Sequence, residues 1–360
     1  MTPDTKVQRR VTAAPDSAQE SAWLRRRAVA DLYHAYFTGL ILTVVTRRGT
    51  ADAAEFVFRV FRRQQQERFL PGLVKLGIEH LPPAVAAAQY HYLSNWIGGV
   101  PVEYMHESDR KAWIRYPPPR WIWRGTAICA VPGEVSRAML RGWHANNGVS
   151  LGNPNLGFVC TKQSVDGQDG LEGYYCEYDH ALEIDQRLVF ARHLEAPMFD
   201  AANAPALPVK SWPKPRLEKA YRNYAMEYVR TAAPVMVQLF GPEDAGYLLH
   251  LAGKLIGMQY FDEIARGFEA SRGTAVDFAG FLRRLFDAQD DAADFSASGG
   301  AFEIRQATWK LMADVADYHP ACARVLEGLF EGLAAGCGRH IAVGMRPSAG
   351  GAPPFVWSIG

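Results

Sequence analysis

Cysteine is scarce and scattered in this chain. Cys129, Cys160, Cys176, Cys322 and Cys337 are odd in number and form no Cys-x-x-Cys pair, which argues against a disulfide framework and for a reduced compartment. Long apolar runs are also missing. The longest, Tyr36 to Val45, is about half the ~20 residues a helix needs to cross a bilayer, so no membrane span is expected. Neither sign of charge dominates: 39 Lys and Arg face 38 Asp and Glu, unlike the strong basic excess of a nucleic-acid-binding surface. There is no Gly-x-Gly-x-x-Gly after a strand, no Walker loop, no His-Glu-x-x-His and no EF-hand loop, which argues against nucleotide kinases and the common dehydrogenases. Residues 1–20 mix charge with Pro, Ala, Ser and Thr, carry no apolar leader segment and read as a disordered tail. The expected location is cytoplasmic.

What is present is 360 residues, 48% of them hydrophobic, more than one comfortable core and hence two units. Helical periodicity runs from Trp23 to Thr46 and, after the turn at Gly49, from Thr50 to Phe69, a helical hairpin. A third helix opens at Pro82-Pro83 and stops at Gly98-Gly99. Val100 to Met105, Ala112 to Tyr116 and Trp121 to Trp123 read as strands. Pro132 starts a helix to about Ala145, and Leu156–Gln163 and Leu171–Tyr178 flank an Asp/Gly turn as a β-hairpin. Residues 195–216, with five prolines, read as a linker.

After the linker the order repeats. Helices are expected over 218–239, 243–268 and 276–288, then a strand over 301–306, a helix over 321–335, and strands over 339–345 and 354–359. An offset of 192 pairs Tyr36 with Tyr228, Gly49 with Gly241 and Phe69 with Phe261; an offset of 190 pairs Gly142 with Gly332 and Gly148 with Gly338. The reading is an α+β fold made by tandem duplication of one unit, a helical hairpin followed by a small antiparallel sheet packed on helices. Residues 21–194 form the first unit, which would carry the active site, and 217–360 the second, which would brace it.

The closing segment, a helix with Ala323, Gly328, Gly332 and Ala335, a strand Arg339–Met345, a turn at Gly350-Gly351 and a strand Phe355–Ile359, resembles the vinyl-reductase-like family and the related L-2-amino-thiazoline-4-carboxylate hydrolase-like family. The resemblance implies an α+β unit enclosing a small organic ligand. The family's Gly-Asp-x-x-Cys-x-Phe pattern is replaced here by Gly351-Ala-Pro-Pro-Phe355. Its cysteine role is therefore not carried over, nor is any catalytic residue.

Chemistry is expected where the two units differ in polarity. The stretch His144 to Asn155 offers imidazole, amides and a hydroxyl where the second unit has Ala334 to His340. Such groups either orient a polar ligand or simply cap a helix and turn the chain. Gly148-Val-Ser150-Leu-Gly152 matches a nucleophile elbow in letters, but that motif needs a strand before the serine and a helix after it; here the order is reversed. Strand alternation presents Lys162 on the first hairpin strand and Tyr175 and Glu177 on the second. Glu177 and Lys162 are either a proton-transfer pair at a ligand cavity or a cross-strand pair facing water. Glu172, at the turn, is expected to face solvent. Cys160, Cys176, His144 and His180 have the chemistry of a zinc set but lack short ligand spacing; no metal is expected. Trp113, Tyr116, Trp121, Trp123 and Trp143 form either core packing or an aromatic cavity wall, with Arg115 or Arg120 as an anionic anchor.

The expected function is therefore that of a cytoplasmic enzyme acting on a small aromatic or heterocyclic carboxylic acid by hydrolytic or lyase chemistry, with no redox or other cofactor. His144, Glu177 and Lys162 would be catalytic; Asn146, Asn147, Asn153, Arg120, Trp143 and Tyr175 would bind substrate. The alternative is a non-catalytic small-molecule sensor or carrier with an aromatic-lined cavity. The expected partner is the small molecule, with neither nucleic acid nor membrane; a homodimer is left open.

Overall fold

The computed structural model describes residues 17–118, 125–298, 300–347 and 355–360. The expected strand at Trp121–Trp123, the anchor Arg120 and the turn at Gly350-Gly351 lie outside them, as do residues 1–16 of the expected tail. Residues 17–20 are helical rather than disordered: α1 spans Ser17–Arg48. Tyr33, Tyr36, Phe37, Leu40, Ile41 and Val44 repeat at three- and four-residue spacing and are all fully buried, the stripe expected of a core helix. By length and composition alone the helix segment Gln19–Arg48 is apolar enough to cross a membrane, yet 78% of its most apolar window is buried in the fold.

The second helix, α2 (Thr50–Leu76), runs past the expected end at Phe69 and through Pro71 to a left-handed cap at Gly77. Its core phase, Ala53, Phe56, Val57, Val60 and Phe61, then delivers Gln64 and Gln65, two buried amides. Helix α3 (Pro83–Ile97) follows, then β1 (Glu103–Ser108) and β2 (Lys111–Tyr116). Strand β1 starts three residues later than expected because Pro101 has no N–H to give a ladder. Helix α4 covers Gly133–Gly142. The polar stretch His144 to Asn155 opens with a short helical turn at His144–Asn146 and the one-turn α5 (Asn147–Ser150). The hairpin β3 (Leu156–Lys162) and β4 (Leu171–Glu177) forms as expected, and β5 (Leu188–Phe190) adds to it in parallel.

The two helices expected after the linker join into α6 (Lys214–Gly267), bent where Gly241 takes φ 76° and Pro242 follows. A positive φ is open to glycine at no steric cost. Then come α7 (Ala275–Gln289), β6 (Ala293–Ser298), β7 (Ala301–Gln306), α8 (Arg324–Cys337), β8 (Val343–Pro347) and β9 (Phe355–Ile359). Strand β6, Asp-, Ala- and Ser-rich, gave no propensity signal; it is an edge strand held by β7 alone.

The fold is thus α+β, with two small sheets packed on helices and antiparallel apart from β5. The sheets run β1-β2-β4-β3-β5 and β6-β7-β9-β8, so the first four strands of one follow the same order as the four of the other. Helices α3 and α7 are both 15 residues long. Gly142 of α4 sits where a Cβ would come within 2.6 Å of the Phe58 carbonyl, and Gly332 of α8 where one would strike the Lys254 carbonyl; in both places a helix lies directly on the backbone of a longer one. Between the halves, α1 packs along α6, with Phe37 stacked on Tyr228 at 4.9 Å.

A buried carboxylate follows α7. Asp291, 5% exposed, accepts from the Lys310 N–H at 2.7 Å and the Thr308 hydroxyl at 3.3 Å. Burial outweighs these bonds and pushes its pKa up to about 6 from 3.8. Between about pH 4 and 6 the folded chain holds this proton while the unfolded chain has released it, so Asp291 takes stability away as pH rises through that window. Asp291→Asn removes this dependence. Urea denaturation should show the variant gaining on the parent between pH 4 and 7.5, by at most about 3 kcal/mol; a difference independent of pH would contradict the assignment.

Candidate functional site

A cavity of about 520 Å³ opens where α2, α3, α4, β2, β4 and the first half of α6 meet. Its walls are apolar and aromatic: Phe61, Tyr90, Tyr116, Trp143, Tyr224 and Tyr228 line it. Gly98, ending α3, allows α6 to approach, since a Cβ there would run into the Tyr224 ring. At the inner end His91 of α3 lies face to face with His144, centroids 4.2 Å apart and planes 15° from parallel. Phe158 and Tyr175 back this pair, with centroids 4.6 Å and 6.2 Å from His144.

Groups that can act in only one sense set the polarity of this inner end. The Arg62 guanidinium, which has no acceptor, donates to Gln65 Oε1. Gln65 therefore turns Nε2 toward Asn147 Oδ1 at 3.3 Å and Ser150 Oγ at 2.8 Å. Asn147 in turn gives its amide hydrogens to Tyr175 Oη at 2.9 Å and His91 Nε2 at 3.3 Å. With Nε2 accepting, the His91 proton sits on Nδ1 and is donated to Tyr116 Oη at 3.0 Å. A second chain starts from a carbonyl: Asn95 donates to His91 O at 2.7 Å, which turns its Oδ1 to the Tyr224 hydroxyl, also at 2.7 Å. On the α6 wall the buried Arg222 holds Asn223 Oδ1 at 2.8 Å, leaving the amide nitrogen as that residue's donor group.

Of the residues expected from sequence, His144 and Trp143 line the cavity. Asn147 and Tyr175 lie behind that wall, both fully buried and bonded to each other; burial holds the Tyr175 hydroxyl pKa well above the ordinary phenol value. Asn146 caps α4, donating to Arg141 O at 2.7 Å and Gly142 O at 3.3 Å. Asn153 makes a local turn with Asn155 and donates to Glu177 Oε2 at 2.8 Å.

Glu177 and Lys162 are not brought to His144's cavity, because register places them at opposite ends of the hairpin: Glu177 pairs with Leu156, and Lys162 with Glu172. Lys162 binds Glu195 and Asp169 instead. Glu172, expected to face solvent, is 2% exposed. It accepts from Thr161 Oγ1 at 2.7 Å and from the Ala196 N–H at 3.1 Å, and Arg115 and Lys162 approach its other oxygen at 3.6 and 4.0 Å. These groups fasten the start of the Pro-rich segment to the sheet.

Cys160 is a core thiol, donating to Lys162 O at 3.4 Å, with burial pushing its pKa up to about 12. Among the described residues no group of three or more His, Cys, Asp and Glu side chains is placed to hold a metal. Ser150 ends α5 and precedes β3, the reverse of a nucleophile elbow.

Sequence reasoning missed His91, Asn95 and Gln64. The signal was available: Ala84, Ala87, Ala88, His91 and Asn95 share one face of α3, so two polar residues occupy the apolar phase.

The relay has a spectroscopic consequence. Histidine ¹⁵N spectra should show His91 protonated on Nδ1 and bare on Nε2 in the parent. Asn147→Asp, which offers no hydrogen, should place a proton on Nε2; a parent His91 already protonated there would refute the order of donors. Asn147→Ala removes the amide that donates to Tyr175 Oη and His91 Nε2 and should cost about 1–3 kcal/mol in urea denaturation. Comparisons with protein-family models, curated proteins and solved structures found no match to this chain.

Proposed function

We propose that the protein takes a small aromatic or heterocyclic carboxylic acid into this cavity and acts on it by hydrolytic or lyase chemistry without a redox cofactor. The observation that carries this reading is the stacked His91–His144 pair at the inner end of an aromatic-walled cavity of about 520 Å³. Sites of this size and lining enclose drug-sized ligands and orient them with a few polar groups. His144 would move the proton, imidazole being the side chain suited to that near neutral pH. Asn223 and Trp143 would orient the ligand from the walls.

One observation favours a second reading, a non-catalytic sensor or carrier: Glu177 and Lys162 stand outside the lining, so the acid–base partners expected for His144 are missing from it. The same cavity serves both readings.

We also propose that the two halves arose by duplication, with ligand binding kept in the first. Matching strand order supports this, and so does the register. Ile114 faces Gly173 in the first sheet, where Ile304 faces the buried Trp357 in the second. An indole occupies the level that in the first sheet is a glycine with the Phe158 ring lying against it. The resemblance of the closing segment to vinyl-reductase-like and hydrolase-like units belongs to this proposal, as does a reduced, cytoplasmic location.

The test is calorimetric binding and product analysis with benzoate, picolinate and 2-amino-thiazoline-4-carboxylate. Under the enzymatic reading His144→Ala lowers turnover at least 100-fold, the order of a lost general acid–base, with affinity within about fivefold. Glu177→Ala changes neither quantity by more than about twofold. Binding without turnover selects the sensor or carrier, and no binding of any such acid overturns both readings.

A further inference from the structure

The mouth of the cavity holds an imbalance of charge. Two carboxylates and four cations line it, and most are accounted for. Glu67 is held by Arg63 at 2.8 Å and Glu227 by Arg68, while Lys219 lies 3.8 Å from Asp290. Lys75 and Arg216 remain: Arg216 donates to the Ser211 carbonyl, and among the described residues neither cation has a carboxylate within 4 Å. Both converge on one ring: Lys75 Nζ is 5.4 Å and the Arg216 guanidinium carbon 4.1 Å from the centroid of Trp212. Trp212 itself is 4% exposed and lines the cavity, yet its buried indole N–H has no hydrogen-bond partner among the described residues.

A buried donor without an acceptor is costly, and native folds rarely leave one without a reason. Here an unsatisfied N–H and two cations without a carboxylate share one corner of a cavity. All three groups call for the same missing partner, an acceptor carrying negative charge. The Lys75 ammonium reflects this crowding: partial burial, then the fields of Arg216 and Arg68, hold its pKa below the usual lysine value. Aromatic walls lie inward from this corner and solvent outward. An organic anion would therefore place its ring inside and its charge at the mouth.

We propose that Lys75, Arg216 and the Trp212 indole N–H form the carboxylate anchor of this cavity, selecting organic acids over their neutral analogues and seating them ring first. The proposal rests on the reading of the cavity as an acid-binding site, and supplies the anchor expected at Arg120.

The probes are 2-naphthoate and its neutral isostere 2-naphthamide, with affinities from tryptophan fluorescence and calorimetry at low salt. The parent should bind the acid at least 10-fold more tightly than the amide. Lys75→Met and Arg216→Met, both at exposed positions, should each weaken acid binding 5- to 20-fold and leave the amide within twofold; the double variant should lose the preference. Trp212→Phe keeps a ring face for the cations and removes the N–H, and should weaken the acid about threefold and the amide less, its carbonyl being the weaker acceptor. Equal binding of acid and amide by the parent, or equal losses of both in the variants, overturns the anchor and leaves the cavity reading standing. Binding of neither compound by the parent overturns both.

Discussion

The contact on which the rest of the molecule turns is the packing of α1 along α6, centred on the stacked rings of Phe37 and Tyr228. Phe37 belongs to the buried stripe of the first helical hairpin, and Tyr228 to the long helix of the second half. Tyr228 also lines the cavity. The wall facing the first sheet and its helices is therefore supplied by a helix from the second half of the chain. Shifting α6 would uncouple the hydrophobic interface and open the cavity at once, because the same tyrosine serves both.

Polar groups survive inside this junction because each amide has its sense imposed by a neighbour that cannot reverse. Arg62 can only donate and the His91 carbonyl can only accept, and the orientations of Gln65, Asn147 and Asn95 follow from them. A network with fixed ends is satisfied in one arrangement, which makes it specifying as well as stabilising. The inner end of the cavity is thus preorganised, while at the mouth Lys75 and Arg216 have no carboxylate and the Trp212 indole N–H no acceptor among the described residues.

Much of the fold was legible because it rests on periodicity. The α1 stripe, the start of α2 at the Gly49 turn, the extent of α3 and the β3–β4 hairpin are all local patterns. Two strands were not legible, β5 with three residues and β6 with little β-propensity, since both are edges whose pairing comes from the neighbouring strand. The bend at Gly241 was read as a break, because glycine and proline mark a change of direction without saying whether the helix resumes. At the site, local polarity contrast pointed to His144 and the concentration of aromatic residues to Trp143, both of which line the cavity. Alternation along a strand tells which residues share a face but not which end approaches a cavity, so Glu177 and Lys162 were grouped with His144 in error. Lys75 meets Trp212 and Arg216 only through tertiary packing and left no local trace. His91 and Asn95 did leave one, as polar residues in an apolar phase.

The Pro-rich stretch between the halves looks, by composition, like a passive connector. Its first residues are fastened to the sheet through Glu172 and Lys162, and its far end carries Trp212 to the cavity mouth. A chain fixed at both ends has a span to match, and Pro197, Pro205 and Pro208 stiffen it against slack. It acts as a strut. Its length, more than the identity of its exposed residues, would then be the inherited quantity, because inserting or removing residues there moves the indole relative to the cations around it.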